Sequence, residues 1–132
     1  MHDTVQAQII VALDIDAIRG MLDTFTLSAV EHHAIFAGRM IPEKYQDLNQ
    51  TILVYSTSPI GSGDIRPINF TASCRAETEY RVQSLAELVY DALNRTFGTG
   101  TYYQAVIQPP IRETDNCWHI PVEINCRNSI TT

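Results

Sequence analysis

The stretch FTASCRAETEYRVQSLAELVYDALNR, Phe70 to Arg95, changes its hydrophobic period partway along. In its first part Phe70, Ala72, Cys74 and Ala76 alternate with Thr71, Ser73 and Arg75, the two-residue period of a strand with one buried face. From Val82 the apolar residues recur at three- and four-residue steps: Leu85, Ala86, Val89, Ala92 and Leu93, with Phe97 closing the pattern. That is the spacing of an amphipathic helix. Thr78 is placed to cap it, Glu79 suits the positive end of its dipole, and Gly98 or Gly100 is expected to end it. Cys74, Arg75, Glu77 and Glu79 look at first like a catalytic cluster. Strand parity separates them, because Cys74 points to the core and Arg75 away from it, and the two glutamates would raise a thiol's pKa. The stretch reads as a strand-to-helix junction.

Towards the N-terminus, TILVYSTS (Thr51 to Ser58) is rich in β-branched and aromatic residues and reads as a strand. It is joined to INFTASCRA by the glycine- and proline-rich loop PIGSGDIRP. AIFAGRMIP, Ala34 to Pro42, holds a further short strand. The first segment carries Val5, Ile9, Ala12, Leu13, Met21 and Leu22 at helical spacing with Thr4 as a cap. Ile10, Val11, Ile15 and Ile18 widen its stripe, so the helix is buried on much of its surface or broken near Asp14.

Towards the C-terminus come TYYQAVIQ and CWHIPVEINCR, with ETDN as a hairpin turn between them. In the last segment Trp118, Ile120, Val122, Ile124 and Cys126 alternate with His119, Pro121, Glu123, Asn125 and Arg127. One face is core, and the other is wet or meets a partner. Pro121 cannot donate to a ladder, which predicts an edge strand or a bulge. The order α-(β)-β-β-α-β-β predicts one α+β domain over residues 1–132. Its largely antiparallel or mixed sheet has about four to five strands, with two main helices on one face.

The composition narrows the function. The chain has 132 residues, 45% of them hydrophobic, a net charge of −6 and a pI of about 5.0. Nine scattered Lys and Arg argue against a protein that grips nucleic acid. No apolar run is long enough to span a membrane, and MHDTVQAQII lacks the pattern of a signal peptide. Three cysteines without CxxC spacing read as reduced thiols of a cytoplasm.

Nor do the motifs assemble a reaction. Asp14 and Asp16 would point ~200° apart on a helix of ~3.6 residues per turn, poor geometry for a cation. His32 and His33 lack the i, i+4 spacing of a helical zinc site, and no role is assigned to them. GSGD has no lysine and leads into a strand, so it is no phosphate cradle. No catalytic, cofactor-binding or metal-binding residue is assigned. Tyr102 and Tyr103 are adjacent, so one of them faces outward and can anchor an interface.

The opening helix, GRMIPEKY, the strand TILVYSTS, the strand-to-helix phrase of Phe70–Arg95 and the closing pair of strands together resemble the tail terminator, or tail completion, proteins of long-tailed bacteriophages. They are also similar to the small neck proteins that join head to tail. The likeness runs from about Val5 to Arg127. It implies a non-enzymatic virion protein, assembled in the host cytoplasm as a ring, typically a hexamer, on the end of the tail tube. Such a ring stops polymerisation of the tail tube protein and offers a surface to the head connector, and DNA passes through its lumen without specific binding. The expected contact residues are Pro59, Ile60, Asp64 and Arg66 of the loop, and Tyr103, His119, Glu123 and Arg127 of the closing strands. The alternatives are another neck or head–tail connector protein, or a small α+β enzyme or ligand-binding module. The latter would use Cys117, His119 or Glu123 at the rim of a pocket between the sheet and helix 79–97.

Overall fold

A computed structural model describes residues 2–56, 68–98 and 100–128. Helix α1 runs from His2 to Leu13, so Thr4 lies inside its first turn and is not its cap. The helix breaks at Asp14 and Ile15, and a short second helix, α2, spans Asp16–Arg19. The wide apolar stripe belongs to two segments: Val5, Ile9 and Leu13 are buried from the first, and Ile18 from the second. Next come two strands that the sequence pattern did not reveal, β1 (Thr24–Leu27) and β2 (Val30–His33). They form a separate antiparallel hairpin, turned by Ser28 and Ala29 in the left-handed region (φ 52° and 63°). Their few apolar side chains are largely exposed, so no buried alternation marks them.

The expected short strand is β3 (Ile35–Ala37), and β4 covers Thr51–Ser56. Strand β5 is Ile68–Ala76 and helix α3 is Glu79–Leu93. The junction between them is built as its residues dictate. Phe70, Ala72, Cys74 and Ala76 are buried, and Thr78 Oγ1 accepts a hydrogen bond from the Arg81 amide at 3.2 Å. The helix does not end at a glycine. Asn94 turns extended after Leu93, and Arg95 takes the left-handed position (φ 59°). Asn94 can do this because its side chain binds both neighbours: Nδ2 donates to Tyr90 Oη (2.8 Å) and Oδ1 accepts from the Ala105 amide (3.0 Å). Gly98 and Phe97 therefore belong to a further strand, β6 (Thr96–Gly98), and Phe97 is 71% exposed instead of closing the helical stripe.

The described chain ends with β7 (Thr101–Ile107), β8 (Ile111–Thr114) and β9 (Cys117–Asn128). ETDN forms the turn, but the arm leading into it is β8, reached after Pro109 and Pro110 break away from β7. Among the described residues the main sheet is mixed and has seven strands, ordered β3-β4-β5-β9-β7-β6, with β8 also against β9. Of its described pairs only β3–β4 is parallel. The α+β class holds, with more strands than expected, because strands of three or four residues are too short to register as alternation.

Pro121 overturns an expectation. Its strand β9 lies in the middle of the sheet, between β5 on one side and β7 and β8 on the other. Pro121 is tolerated there because of where its missing N–H would point. The Gln108 amide donates to the Pro121 carbonyl at 3.0 Å, so that side of Pro121 faces the last ladder position of β7. Beyond it β7 departs through Pro109, and β8 takes over pairing only at His119. The donor is missing at the seam where one neighbour is exchanged for another.

Helices α1, α2 and α3 pack on one face of this sheet. Val5, Ile9, Leu13, Val82, Leu85, Ala86, Val89 and Leu93 meet Ile52, Val54, Phe70, Cys74, Ile120, Val122 and Ile124 in the main core. A smaller cluster on the other face joins Ala34, Phe36 and Leu53 to Phe25, Ile41, Tyr45, Leu48 and Tyr55. Among the described residues, the chain between β3 and β4 and the base of the hairpin thus cover the outer face at its β3–β4 end.

Candidate interaction face

The outer face of β9, β7, β8 and β6 carries exposed and half-buried side chains. Register fixes which side chains share it. Arg127 lies beside Tyr102, which lies beside Phe97; Asn125 pairs with Gln104, Glu123 with Val106, and His119 with Ile111. Phe97, Val106 and Ile111 are exposed, as are Glu123 and Arg127. The Phe97 and Tyr102 rings pack together with centroids 4.8 Å apart. A strip of apolar side chains flanked by single charges is the composition of a contact surface.

Three of the expected contact residues, His119, Glu123 and Arg127, lie on this face. Tyr103 does not. It is 2% exposed, faces α1 and donates from its hydroxyl to Gln8 Oε1 at 3.0 Å. The outward member of the tyrosine pair is Tyr102, because Tyr103 shares the parity of the buried Ala105. Pro59, Ile60, Asp64 and Arg66, together with the GSGD segment, lie outside the described residues.

One end of the face carries a polar cluster that sequence spacing did not assemble. Arg75 Nη2 donates to Glu113 Oε2 (2.6 Å) and to Cys117 Sγ (3.3 Å), and His119 Nδ1 lies 3.3 Å from Glu113 Oε1. An irregularity in the β8–β9 ladder between Arg112 and Thr114 sets Glu113 into this position. Burial lowers the pKa of His119 below its usual 6.5; the Glu113 carboxylate opposes that shift and Arg75 adds to it. The cluster ties β5 to the β8–β9 hairpin. Cys117 also lines an open groove of about 370 Å³ with Arg39, Met40, Ile41, Leu48 and Arg75. His119 and Glu123 are not among the groove's lining residues; His119 turns to Glu113 instead.

The remaining candidates are engaged in local structure. Cys74 and Cys126 lie in the main core, where burial raises both thiol pKa values, that of Cys126 to about 12. Asp14 and Asp16 are both held by Arg19, at 2.7 and 3.2 Å, and the Arg19 hydrogen bond lowers the pKa of Asp14. His32 stacks on Phe25 with centroids 5.4 Å apart. His33 lines a cleft of about 310 Å³ with Ile10, Asp14, Arg19, Glu31 and Ile35. Among the described residues no helix is long and apolar enough to cross a membrane.

No protein-family model matches the chain, and no curated protein matches it in sequence. Among solved structures it is similar to a chain from the virion of a native gene transfer agent particle. The TM-score is 0.55 at 13% sequence identity, over 94% of this chain and 93% of that one. At that identity the likeness is one of fold.

Proposed function

We propose that this chain is a structural virion protein and, within that class, a tail terminator subunit. In this role copies form a ring, in sixes by the family's habit, on the end of a tail tube. The ring stops further addition of tube protein and presents a surface to the head connector. The observation that carries the reading is the end-to-end fold likeness to a chain of a gene transfer agent virion, which leaves little of either chain unmatched. The exposed side chains of the β9–β7 face supply a surface for neighbours, and the net charge of −6 suits a passage through which DNA slides without sticking. The enzyme reading requires two of Cys117, His119 and Glu123 to converge in a pocket, and only Cys117 lines the groove.

Electron microscopy of the purified chain mixed with tail tubes tests this. Caps on tube ends, together with arrest of tube growth, are the expected result. Binding only to isolated head connectors would move the chain to the neck proteins. No binding to either would sink the assembly role.

A further inference from the structure

We infer that the tip of the β1–β2 hairpin seats in the Arg39–Cys117 groove of a second copy of this chain, so that copies join head to tail. The inference rests on the assembly reading for the reason that copies adjoin, and adds how they meet.

Register divides the hairpin into two faces. Phe25 pairs with His32 and Leu27 with Val30, so these four share one face, while Thr24, Thr26, Glu31 and His33 share the other. The near half of the first face is covered. Phe25 packs on Phe36 of the edge strand β3 and on Tyr45, with ring centroids 5.2 and 4.4 Å away. The far half is bare: Leu27 is 51% and Val30 55% exposed. Between them Ser28 and Ala29 both take the left-handed conformation, which a tight hairpin usually gives to Asn and Gly and which is costly for a residue with a Cβ. The base is firmly held. The Asp23 carboxylate accepts from the Asn49 and Gln50 amides (2.6 and 3.0 Å) and from Gln50 Nε2 (3.3 Å), and the Asp23 carbonyl accepts from the Ala34 amide (2.9 Å). A fixed base thus presents an apolar tip.

The groove of about 370 Å³ has the matching character. Met40, Ile41 and Leu48 give it an apolar wall, Met40 is 74% exposed, and no carboxylate is among its lining residues. The four side-chain carbons of Leu27 and the three of Val30, each about the size of a water at ~30 Å³, need roughly 200 Å³, so there is room for both. Charge matches as well. Glu31 is the only Asp, Glu, Lys or Arg of the hairpin. Arg39, at the groove, has no carboxylate bonded to it among the described residues; it donates to the Ser56 carbonyl (2.9 Å) and lies over the Tyr55 ring. Arg75 is already paired with Glu113, so one free acid on the tip meets one free base at the groove.

The hairpin stands by the β3 edge of the sheet, while the groove reaches Arg75 on β5 and Cys117 on β9, beyond the β3–β4 connection. A tip and a groove at different places on one chain make a heterologous contact, which repeats from copy to copy and closes into a ring when the rotation permits. Six residues at a hairpin's end bury less than the ~1,000 Å² of a stable pair, so free copies associate weakly, and a ring gains because each copy makes two such contacts.

A disulfide trap tests the contact, because Cys117 lines the groove and the other two cysteines are buried. Ser28→Cys in the otherwise unchanged chain, at about 0.5 mM with copper–phenanthroline as oxidant, is expected to give a ladder of covalent multiples. Peptide mass spectrometry should place the bond between position 28 and Cys117, and Cys117→Ser should abolish it. Tyr80→Cys, on the exposed side of α3, measures chance collision with Cys117. In the Ser28→Cys chain, Glu31→Arg or Arg39→Glu alone should cut the yield by about fivefold or more, and the two together should restore it to within about twofold. Circular dichroism checks that each variant is folded. A 28–117 yield no higher than the Tyr80→Cys control, bonds mainly between two positions 28, or a yield indifferent to both charge changes would each overturn the inference. The 28–117 bond in a chain that never caps tail tubes would keep this contact and defeat the terminator reading; capped tubes without the bond would do the reverse.

Discussion

Gly98 is the position where one methyl group should cost most. It lies on β6 with its inner side towards α1, and an added Cβ would fall on the Tyr103 hydroxyl, 2.7 Å from Gln8 Oε1 and 2.9 Å from Tyr103 Cε2. Its backbone is not left-handed, so alanine can adopt the conformation and the penalty is purely steric. Gln8 can swing its amide aside, but Tyr103 does not yield easily. Tyr103 is among the largest fully buried side chains, and its hydroxyl is bound to Gln8, across 95 residues of sequence. Overpacking of this kind costs about 1–3 kcal/mol, and breaking the Tyr103–Gln8 bond adds about 1 kcal/mol. Restricting the unfolded chain returns about 0.4–1 kcal/mol. The net expectation for Gly98→Ala is a loss of about 2 kcal/mol, or roughly 8 °C in Tm at about 4 °C per kcal/mol. Urea unfolding followed by the fluorescence of Trp118, the single tryptophan, gives the midpoint, and the slope m should not change. Tyr103→Phe removes the nearest clashing atom, so it should cost about 1 kcal/mol in the wild type and little or nothing in the Gly98→Ala background. A Gly98→Ala chain as stable as wild type, or a strictly additive double variant, would refute the argument.

Two further outcomes follow from the burial of titratable groups. With a thiol reagent at mildly alkaline pH the native chain should titrate one thiol, Cys117, and denaturant should release all three; native labelling that persists in Cys117→Ser would contradict the burial of Cys74 and Cys126. For His119, burial lowers the folded pKa below 6.5, so the unfolded chain takes up the proton first as pH falls. Stability from this group is therefore full above 6.5 and is lost as pH falls through 6.5 towards the lower folded value, a window well above that of Asp14, whose carboxyl lies below 3.8. His119→Gln should flatten the dependence of the urea midpoint on pH in that window, and an unchanged or steeper slope would count against it.

Much of the fold is legible in the chain because long elements with one buried face write their period into the sequence. Phe70–Ala76 and Val82–Leu93 do so on adjoining segments, and the residues that make the cap and the core are those the pattern marks. What is not legible has local causes. The hairpin of Thr24–His33 stands outside the sheet, so Leu27 and Val30 stay exposed and leave no buried alternation. Arg95 takes the left-handed position where a glycine was expected, because Asn94 ties the turn to Tyr90 and Ala105. Pro121 forbids a donor, yet a strand has two sides and only one side needs the donor at that residue. Sequence alone shows the missing N–H; the direction it would have pointed depends on where β7 ends and β8 begins.

The interaction face shows the same division between parity and placement. Alternation along Cys117–Asn128 is enough to put His119, Glu123 and Arg127 together, whichever strands lie beside them. It cannot choose between Tyr102 and Tyr103, since two adjacent residues exchange faces under a shift of one. That choice is made by tertiary contact: Gln8 on α1 accepts the Tyr103 hydroxyl and Gly98 makes room beneath its ring, so Tyr102 is left to face outward beside Phe97. The buried tyrosine and the exposed contact surface are thus one structural decision. A change at Gly98 that unseats Tyr103 should also disturb the row that carries Tyr102 and Arg127. Loss of binding to tail-tube ends in Gly98→Ala, at temperatures where the chain is still folded, is the result that would tie the core of this protein to its outer face.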